Sequence, residues 1–524
     1  MPPPARTDPR HRASANRPGL GAASGTRHPE RPILFACGSV GLLFALLAVL
    51  ERIGVERGIL GALAVTLPLA AAAALAVIGR TIDRLPFVVD GARGGTLAGG
   101  LALGAEWMGV WLVPAVVLAP AIGTPAVLGG ALGIVALVLG GIFALRRVGA
   151  LTLPGFLARR TGSAWAGLAL APAALVAVAA LLVFQIALLH ALLVPFVGSS
   201  ADATLAALAV VAAAVLLIGG QRSLTLVNAF LAFFLTLAVV VPALAAIGGV
   251  EGLTAALPID RGFAAALPFG TAGFGGAFLA LAVVALATAA LPTHAARLSS
   301  VRVGGLSQAG GWAMLTGYVT MTATALAFAQ AQLAPGLVVA PSGETSILSV
   351  LPALGWLGTV WAGGAMSLFT LAAILARDLR LHAPAGLFAA PWMDTAGLAA
   401  MRLAFIAAIA IVGAFASGML DWPDGLVAVA SAGTAFAVVV VASAGALAPA
   451  FVIGIVWRHL TWPGLLAGQA AAAAAAWTAW PLLDPLALAL LAALANTLAT
   501  FAVSLVTPRR LRPAPSLVKT MREG

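Results

Sequence analysis

One carboxylate stands deep inside an apolar stretch of this chain. Glu106 belongs to the segment Gly104-Ala105-Glu106-Trp107-Met108-Gly109-Val110-Trp111. An ionisable group at mid-bilayer costs about 2.5–3.5 kcal/mol on insertion scales and normally faces a cavity or a partner. Two readings follow: Glu106 holds a cation or carries a proton inside a helix bundle, or it sits near the cytoplasmic end of its helix and reaches water. Gly104 and Gly109 weaken helix propensity around it, and transporters use unwound stretches to offer backbone carbonyls to ions. Its neighbours Trp107 and Met108 are candidate solute contacts.

Other polar groups interrupt the apolar background singly. Gln185 and His190 lie five positions apart, about 140° around a helix, so they do not share a face. For Gln185, a solute-facing role and an interhelical hydrogen bond are both open. His190 reads first as an interfacial histidine and second as a proton relay. Asn228 is a further candidate solute contact. Ser367 and Thr370, three apart, share one helix face and are candidates for ion coupling, although such hydroxyls usually bond back to their own helix. Trp107, Trp111, Trp356 and Trp361 either form an interfacial belt, the usual placement, or line a solute path. No His-Glu-x-x-His, paired intramembrane carboxylate, GxSxG or phosphate loop is present. The chain is therefore not expected to be an enzyme.

These residues need helices in lipid to position them. Of 524 residues, 62% are hydrophobic and 9% charged, against roughly 25% charged in a soluble domain. At about 20 residues per span, the apolar runs near 33–50, 58–78, 96–119, 124–145, 164–196, 203–218, 225–247, 271–291, 311–334, 356–376, 397–418, 425–456, 461–481 and 485–507 predict an all-α polytopic membrane protein of about fourteen transmembrane helices. Pro449 could bend the run at 425–456. The abundant glycine, 59 residues, is expected at close helix contacts. The single cysteine, Cys37, excludes an intrachain disulfide.

Charge sets the orientation. With these runs as spans, Arg52, Arg57 and Arg261 fall on one side and all the other arginines and lysines, including Arg160, Arg222, Arg297, Arg302 and Arg402, fall on the opposite loops and tails. Cytoplasmic loops carry the Lys/Arg excess, so a plasma (inner) membrane protein with both termini cytoplasmic is expected. The formal net charge of +11 is thus a topology signal and not a nucleic-acid footprint. Residues 1–32, rich in Pro, Gly, Ser and Arg, are too polar to bury and read as a disordered basic tail. Residues 33–78 form two peripheral helices, 79–457 the core, 458–507 two further peripheral helices, and 508–524 a basic tail.

Read in order, the loops and helix ends resemble the sodium/solute symporter family, in its acetate-permease-like branch. The segment Phe87-Val88-Val89-Asp90-Gly91-Ala92-Arg93 is similar to the family's FxxAGR stretch, and Gly104 to Met108 stands where the family has small residues ending in Asp-aromatic-Met-Ser. Leu145-Arg146-Arg147-Val148-Gly149 and the stretch from Leu151 to Arg160 resemble its "LRxxGxxTLPDFLxxR" loop. Gly219-Gly220 before Asn228, Leu291-Pro292 with Arg297, Arg377-Asp378-Leu379, and Trp457-Arg458 with Thr461, Gly464 and Gly468 follow in the family's order. The resemblance implies a ten-helix core of two inverted five-helix repeats, with solute and ion sites near a broken first helix in each repeat, here the runs at 96–119 and 271–291. Gly270, Gly273, Gly275 and Gly276 would make the second of these flexible at its outer end.

The resemblance also implies a secondary active transporter that moves a small organic solute, a short monocarboxylate such as acetate, by alternating access. Sodium or a proton would be the coupling ion, with no other cofactor and no assigned oligomeric state. Glu106 replaces the family's Asp, Gly109 replaces a serine, and Asn228 and Leu231 stand for an acidic residue and a glutamine. The paired hydroxyls that bind sodium in relatives correspond to Ala372 and Ala373, whose methyl groups supply no oxygen ligand. The competing class is a degenerate transporter-fold protein that senses or assembles, and a channel is third.

Overall fold

The structure, a computed structural model, describes residues 31–82, 87–88, 95–114, 120–147, 150–197, 201–246, 274–331, 351–379, 395–416 and 429–508. The two tails, most of the segment at 87–93, and Gly270 and Gly273 lie outside these residues. The described chain is helical without strands. In lipid every backbone polar group must be satisfied within the segment, which a helix does and an open strand does not.

The elements are α1 (Arg31–Arg52), α2 (Arg57–Ile78), α3 (Thr96–Trp107), α4 (Pro120–Ala136), α5 (Ile142–Arg147), α6 (Leu153–Thr161), α7 (Ala164–Val197), α8 (Ala201–Ala246), α9 (Phe274–Ala290), α10 (Pro292–Leu298), α11 (Leu306–Ala331), α12 (Leu351–Ala373), α13 (Thr395–Ala416), α14 (Val429–Val440), α15 (Ala448–Val456), α16 (Trp462–Ala479) and α17 (Pro485–Val506). Among the described residues, seven helices are long and apolar enough to cross a membrane, and the bent pair formed by α9 and α10 adds an eighth if taken as one span. The chain is a multi-pass membrane protein.

Three interruptions shape the centre of the bundle. The runs at 203–218 and 225–247 are parts of one element, α8, kinked at Gly220, whose φ of 56° and ψ of −133° only glycine adopts readily. A Cβ there would stand 2.4 Å from the carbonyl oxygen of Phe87, so the kink also receives a second backbone. The second interruption is Leu291, which is extended before Pro292, and α10 turns 52° away from α9. Proline disfavours helical backbone in the residue before it. The break therefore lies at the 291 end of the run, beyond the reach of the outer glycines at 270–276.

The third is milder. The stretch after α3 does not unwind: a π-helical turn at Met108–Leu112 carries the helix on. Its glycines serve packing instead. A Cβ on Gly109 would stand 2.5 Å from the carbonyl oxygen of Thr359 in α12, and one on Gly100 would stand 2.5 Å from that of Ala309 in α11. Gly129 and Gly133 of α4 meet the carbonyls of Leu281 and Ala285 in α9 just as closely.

The helix carrying Pro449 follows the same logic. A π-helical stretch, Val441–Leu447, separates α14 from α15. Carbonyls left over there are capped from the next helices: Gln469 Nε2 donates to Ala446 O at 2.9 Å, and Asn496 Nδ2 donates to the same oxygen at 2.8 Å. Helices α6 and α16 start alike, with Thr152 and Thr461 as N-caps accepting from the amides of Gly155 and Gly464. Gly464 and Gly468 face Ser504 and Thr500 of α17, so these motif glycines set a helix contact.

Candidate functional site

Glu106 lies ten residues into α3, about 15 Å along its axis, which is half of a hydrocarbon core roughly 30 Å thick. Its side chain is 1% exposed. It does not reach water, and it is not alone. Arg297 Nε donates to Glu106 Oε1 at 2.6 Å, and Nη2 stands 2.5 Å from the same oxygen. Asn228 Nδ2 donates to that oxygen too, at 3.1 Å, and also to Ala362 O at 3.2 Å.

Arg297 corrects the charge count made from the sequence. It is not a loop arginine; its side chain is fully buried. The 52° turn at Leu291-Pro292 folds α10 back into the bundle beside α3. A Cβ on Gly99 would touch Val301, and one on Gly305 would touch Thr96. The return segment therefore runs alongside the start of α3 and sets Arg297 level with Glu106. The same turn leaves Thr288 O facing His294 Nδ1 at 3.3 Å.

The kinked half of α8 supplies the remaining partners. Gln221, Thr225 and Asn228, at i, i+4 and i+7 just after Gly220, share one face. Arg297 Nη1 donates to Thr225 Oγ1 at 2.7 Å, Thr225 Oγ1 donates to Gln221 O at 2.7 Å, and Gln221 Nε2 donates to Ala296 O at 3.3 Å. All four of these side chains and Glu106 are buried. A charge pair of this depth is tolerated only where further hydrogen bonds satisfy it, and Thr225 and Asn228 provide them.

Gln185 belongs to the same neighbourhood. Its Nε2 donates to Gly109 O at 3.4 Å, and a Cβ on Gly363 would stand 3.0 Å from that nitrogen. Four buried acceptors on these residues have no partner: Glu106 Oε2, Gln221 Oε1, Asn228 Oδ1 and Gln185 Oε1. Buried polar atoms are nearly always paired, with protein, water or ligand. The other face of Gln185 borders a cavity of about 90 Å³, lined also by Leu189, Leu208, Trp361, Gly364 and Leu368.

The remaining expected residues separate. Trp107 is wedged between Gly130 of α4 and Gly317 of α11, and Met108 is fully buried. Trp111 packs edge-on against Phe436 at 5.6 Å. Trp356 and Trp361 are also buried, and Trp361 Nε1 donates to Leu208 O at 2.9 Å. All four tryptophans thus turn inward against protein, contrary to the interfacial belt. His190 sits 3.4 Å from Asp202 at the partly exposed junction of α7 and α8.

Ser367 and Thr370 donate to Gly363 O and Met366 O, one turn back on α12. Ala372 and Ala373 are buried methyl groups. Of the oxygens expected for sodium on this helix, the two alanine positions supply none, whereas Ser367 and Thr370, by donating to their own helix, keep their oxygen lone pairs unused. Among the described residues no group of three or more His, Cys, Asp or Glu side chains could hold a metal ion.

Neither a protein-family model nor a curated protein matches the chain. Solved structures do. A Na+-coupled sialic acid symporter in a substrate-bound, outward-open state superposes with a TM-score of 0.64 at 12% identity, over 85% of this chain and 97% of that one. The fold is that of a secondary transporter. A manganese transporter from Eremococcus coleocola aligns more loosely, with a TM-score of 0.40 at 13% identity, over 84% of this chain and 95% of the other. These structural neighbours are transporters and not enzymes.

Of the residues the fold brings together, Glu106, Gln185 and Asn228 stand out in the sequence as lone polar groups. Gln221, Thr225 and Arg297 do not. The signal for the first two is their helical spacing with Asn228 behind a Gly-Gly pair. For Arg297 it is Pro292 five residues earlier, which lets the chain double back.

Proposed function

We propose that the protein is a secondary active transporter for a small organic solute, built on about fourteen spans with a core of two inverted five-helix repeats. A cation or proton gradient drives it through Glu106. The observation that carries this reading is the buried Glu106–Arg297 pair, placed where the π turn after α3, the break between α9 and α10 and the kinked half of α8 converge. Charges at this depth mark substrate and ion pathways. Breaks and kinks at the same level are the joints that alternating access requires.

A short monocarboxylate such as acetate is the solute class this reading favours. Arg297 is a planar, permanently charged fork suited to a carboxylate, and in the described state Glu106 occupies it. A solute carboxylate that displaced Glu106 would find Thr225 and Asn228 already in place. The unpartnered acceptors on Glu106, Asn228 and Gln185 would then meet water or the solute's own donors.

The test is uptake into proteoliposomes from a panel of short carboxylates, amines and neutral solutes under imposed gradients. Concentrative, gradient-dependent uptake restricted to carboxylates is the expected result. Concentrative uptake of amines alone contradicts the solute class. The absence of any uptake, together with no thermal stabilisation by any member of the panel, favours a sensing or assembly role, the reading to which the methyl groups of Ala372 and Ala373 lend support.

A further inference from the structure

Resting on that transport reading, we propose that Phe87 is a positioning residue for the solute site: it clamps the kink of α8, and Arg402 of α13 holds its ring there. Phe87 lies nine residues before α3 and is fully buried. The missing side chain of Gly220 forms its seat. A Cβ on that glycine would stand 2.4 Å from Phe87 O and 2.8 Å from both Cγ and Cδ1 of the ring. Carbonyl and ring therefore close on the one residue whose φ of 56° and ψ of −133° bend the helix. Arg402 Cζ stands 5.1 Å from the centroid of the same ring. A guanidinium over an aromatic face is attracted by the ring quadrupole, more strongly where water is excluded. The buried Nε of Arg402 has no hydrogen-bond partner among the described residues, which leaves the ring as the contact that engages this guanidinium.

The kink matters because the partners of the ion pair hang from it. Thr225 and Asn228 follow Gly220 by five and eight residues, about 7.5 Å and 12 Å along the helix. On that lever a swing of about 10° at the kink carries Asn228 sideways by about 2 Å. Its bonds to Glu106 Oε1 at 3.1 Å and to Ala362 O at 3.2 Å do not survive such a shift, since a donor about 3.6 Å from its acceptor no longer bonds. Other contacts fasten the kink to α2 and the residues after it: Ser223 Oγ donates to Ala76 O at 2.7 Å, and Thr81 N donates to Ile218 O at 3.2 Å. Phe87 with Arg402 fastens it to α13, the contact that links the solute site to a helix carrying none of its groups.

Acetate uptake by the full chain in proteoliposomes, normalised to folded carrier, is compared for the wild type, F87L, R402M, R402K and F87L/R402M. F87L keeps bulk over Gly220 and loses the aromatic face; R402M keeps the length of the side chain and loses the charge. Each should raise KM about tenfold, the factor carried by one lost hydrogen bond to a charged group, with the maximal rate retained. The double variant should be no worse than either single one, because both act through one contact, and R402K, which keeps a cation over the ring, should stay near the wild type. A residue that only packs would lower the melting temperature and leave KM where it was. R402M changes a half-buried side chain and carries the test if F87L does not fold. An unchanged KM in the folded single variants, or a KM in F87L/R402M raised by the product of the two separate factors, overturns the clamp. If the wild type takes up no acetate, the transport reading fails for that solute, and the clamp is read by itself from thermal unfolding. F87L and T225V should then lower the melting temperature by less than the sum of their separate effects, as sites coupled through a backbone shift do; strict additivity overturns it.

Discussion

At the scale of single residues, the centre of this protein is one carboxylate oxygen shared by two side chains from distant parts of the chain. Glu106 and Arg297 are 191 positions apart, and Asn228 lies 122 positions from Glu106. Taking one partner away strands a buried charge, which costs about 3–5 kcal/mol, whereas replacing both is far cheaper. E106Q and R297Q should therefore each lower thermal stability strongly. The double variant E106Q/R297Q should lose clearly less than the sum of the two, a coupling that a double-mutant unfolding cycle measures. Glu106 and Asn228 were legible because a lone polar group among leucines and alanines has few other reasons to be there. Arg297 was not, since counting arginines as loop markers hides those that are folded inward, Arg160 as well as Arg297. Only the turn at Pro292 distinguishes it from Arg302, which is exposed.

At the scale of elements, backbone breaks and glycine contacts do the positioning. Gly220 at φ 56° faces Phe87 O across a gap with no room for a Cβ. G220A should destabilise the chain by about 1–3 kcal/mol from the backbone alone, and it should lower uptake by shifting Thr225 and Asn228 off Arg297. Along α11, Gly317 lies flat against the Trp107 ring, while Gly311 has nothing near its missing Cβ. G317A should thus reduce the melting temperature and G311A should leave it unchanged or slightly raised, a contrast that one unfolding series resolves. The helices themselves were legible as apolar runs. The π turns at Met108–Leu112 and Val441–Leu447 were not, because their cause is which neighbouring carbonyl or amide waits across the contact. Glycines near Glu106 suggested unwinding for the same reason: sequence shows that a side chain is missing, and only the fold shows what fills the space.

At the scale of the whole molecule, helices α3, α8, α10 and α12 supply the groups around the ion pair, while α1 and α2 pack against α8 and α16 and α17 pack against each other. The positive charge of the loops predicts both ends of the chain on the cytoplasmic face. Reporter fusions at each terminus should therefore be active only in the cytoplasm, and a periplasmic signal from either end would break the even span count. What the molecule does was legible only as a class: lipid-embedded helices around a buried charge suit a carrier, and the Arg297 fork adds a reason for an anionic solute. The most direct measurement of the central claim is solute accumulation in proteoliposomes under an imposed gradient, comparing the wild type with E106Q at equal amounts of folded protein. The wild type should concentrate solute and E106Q should only equilibrate it. An E106Q protein that still accumulates solute at the wild-type level would contradict the account.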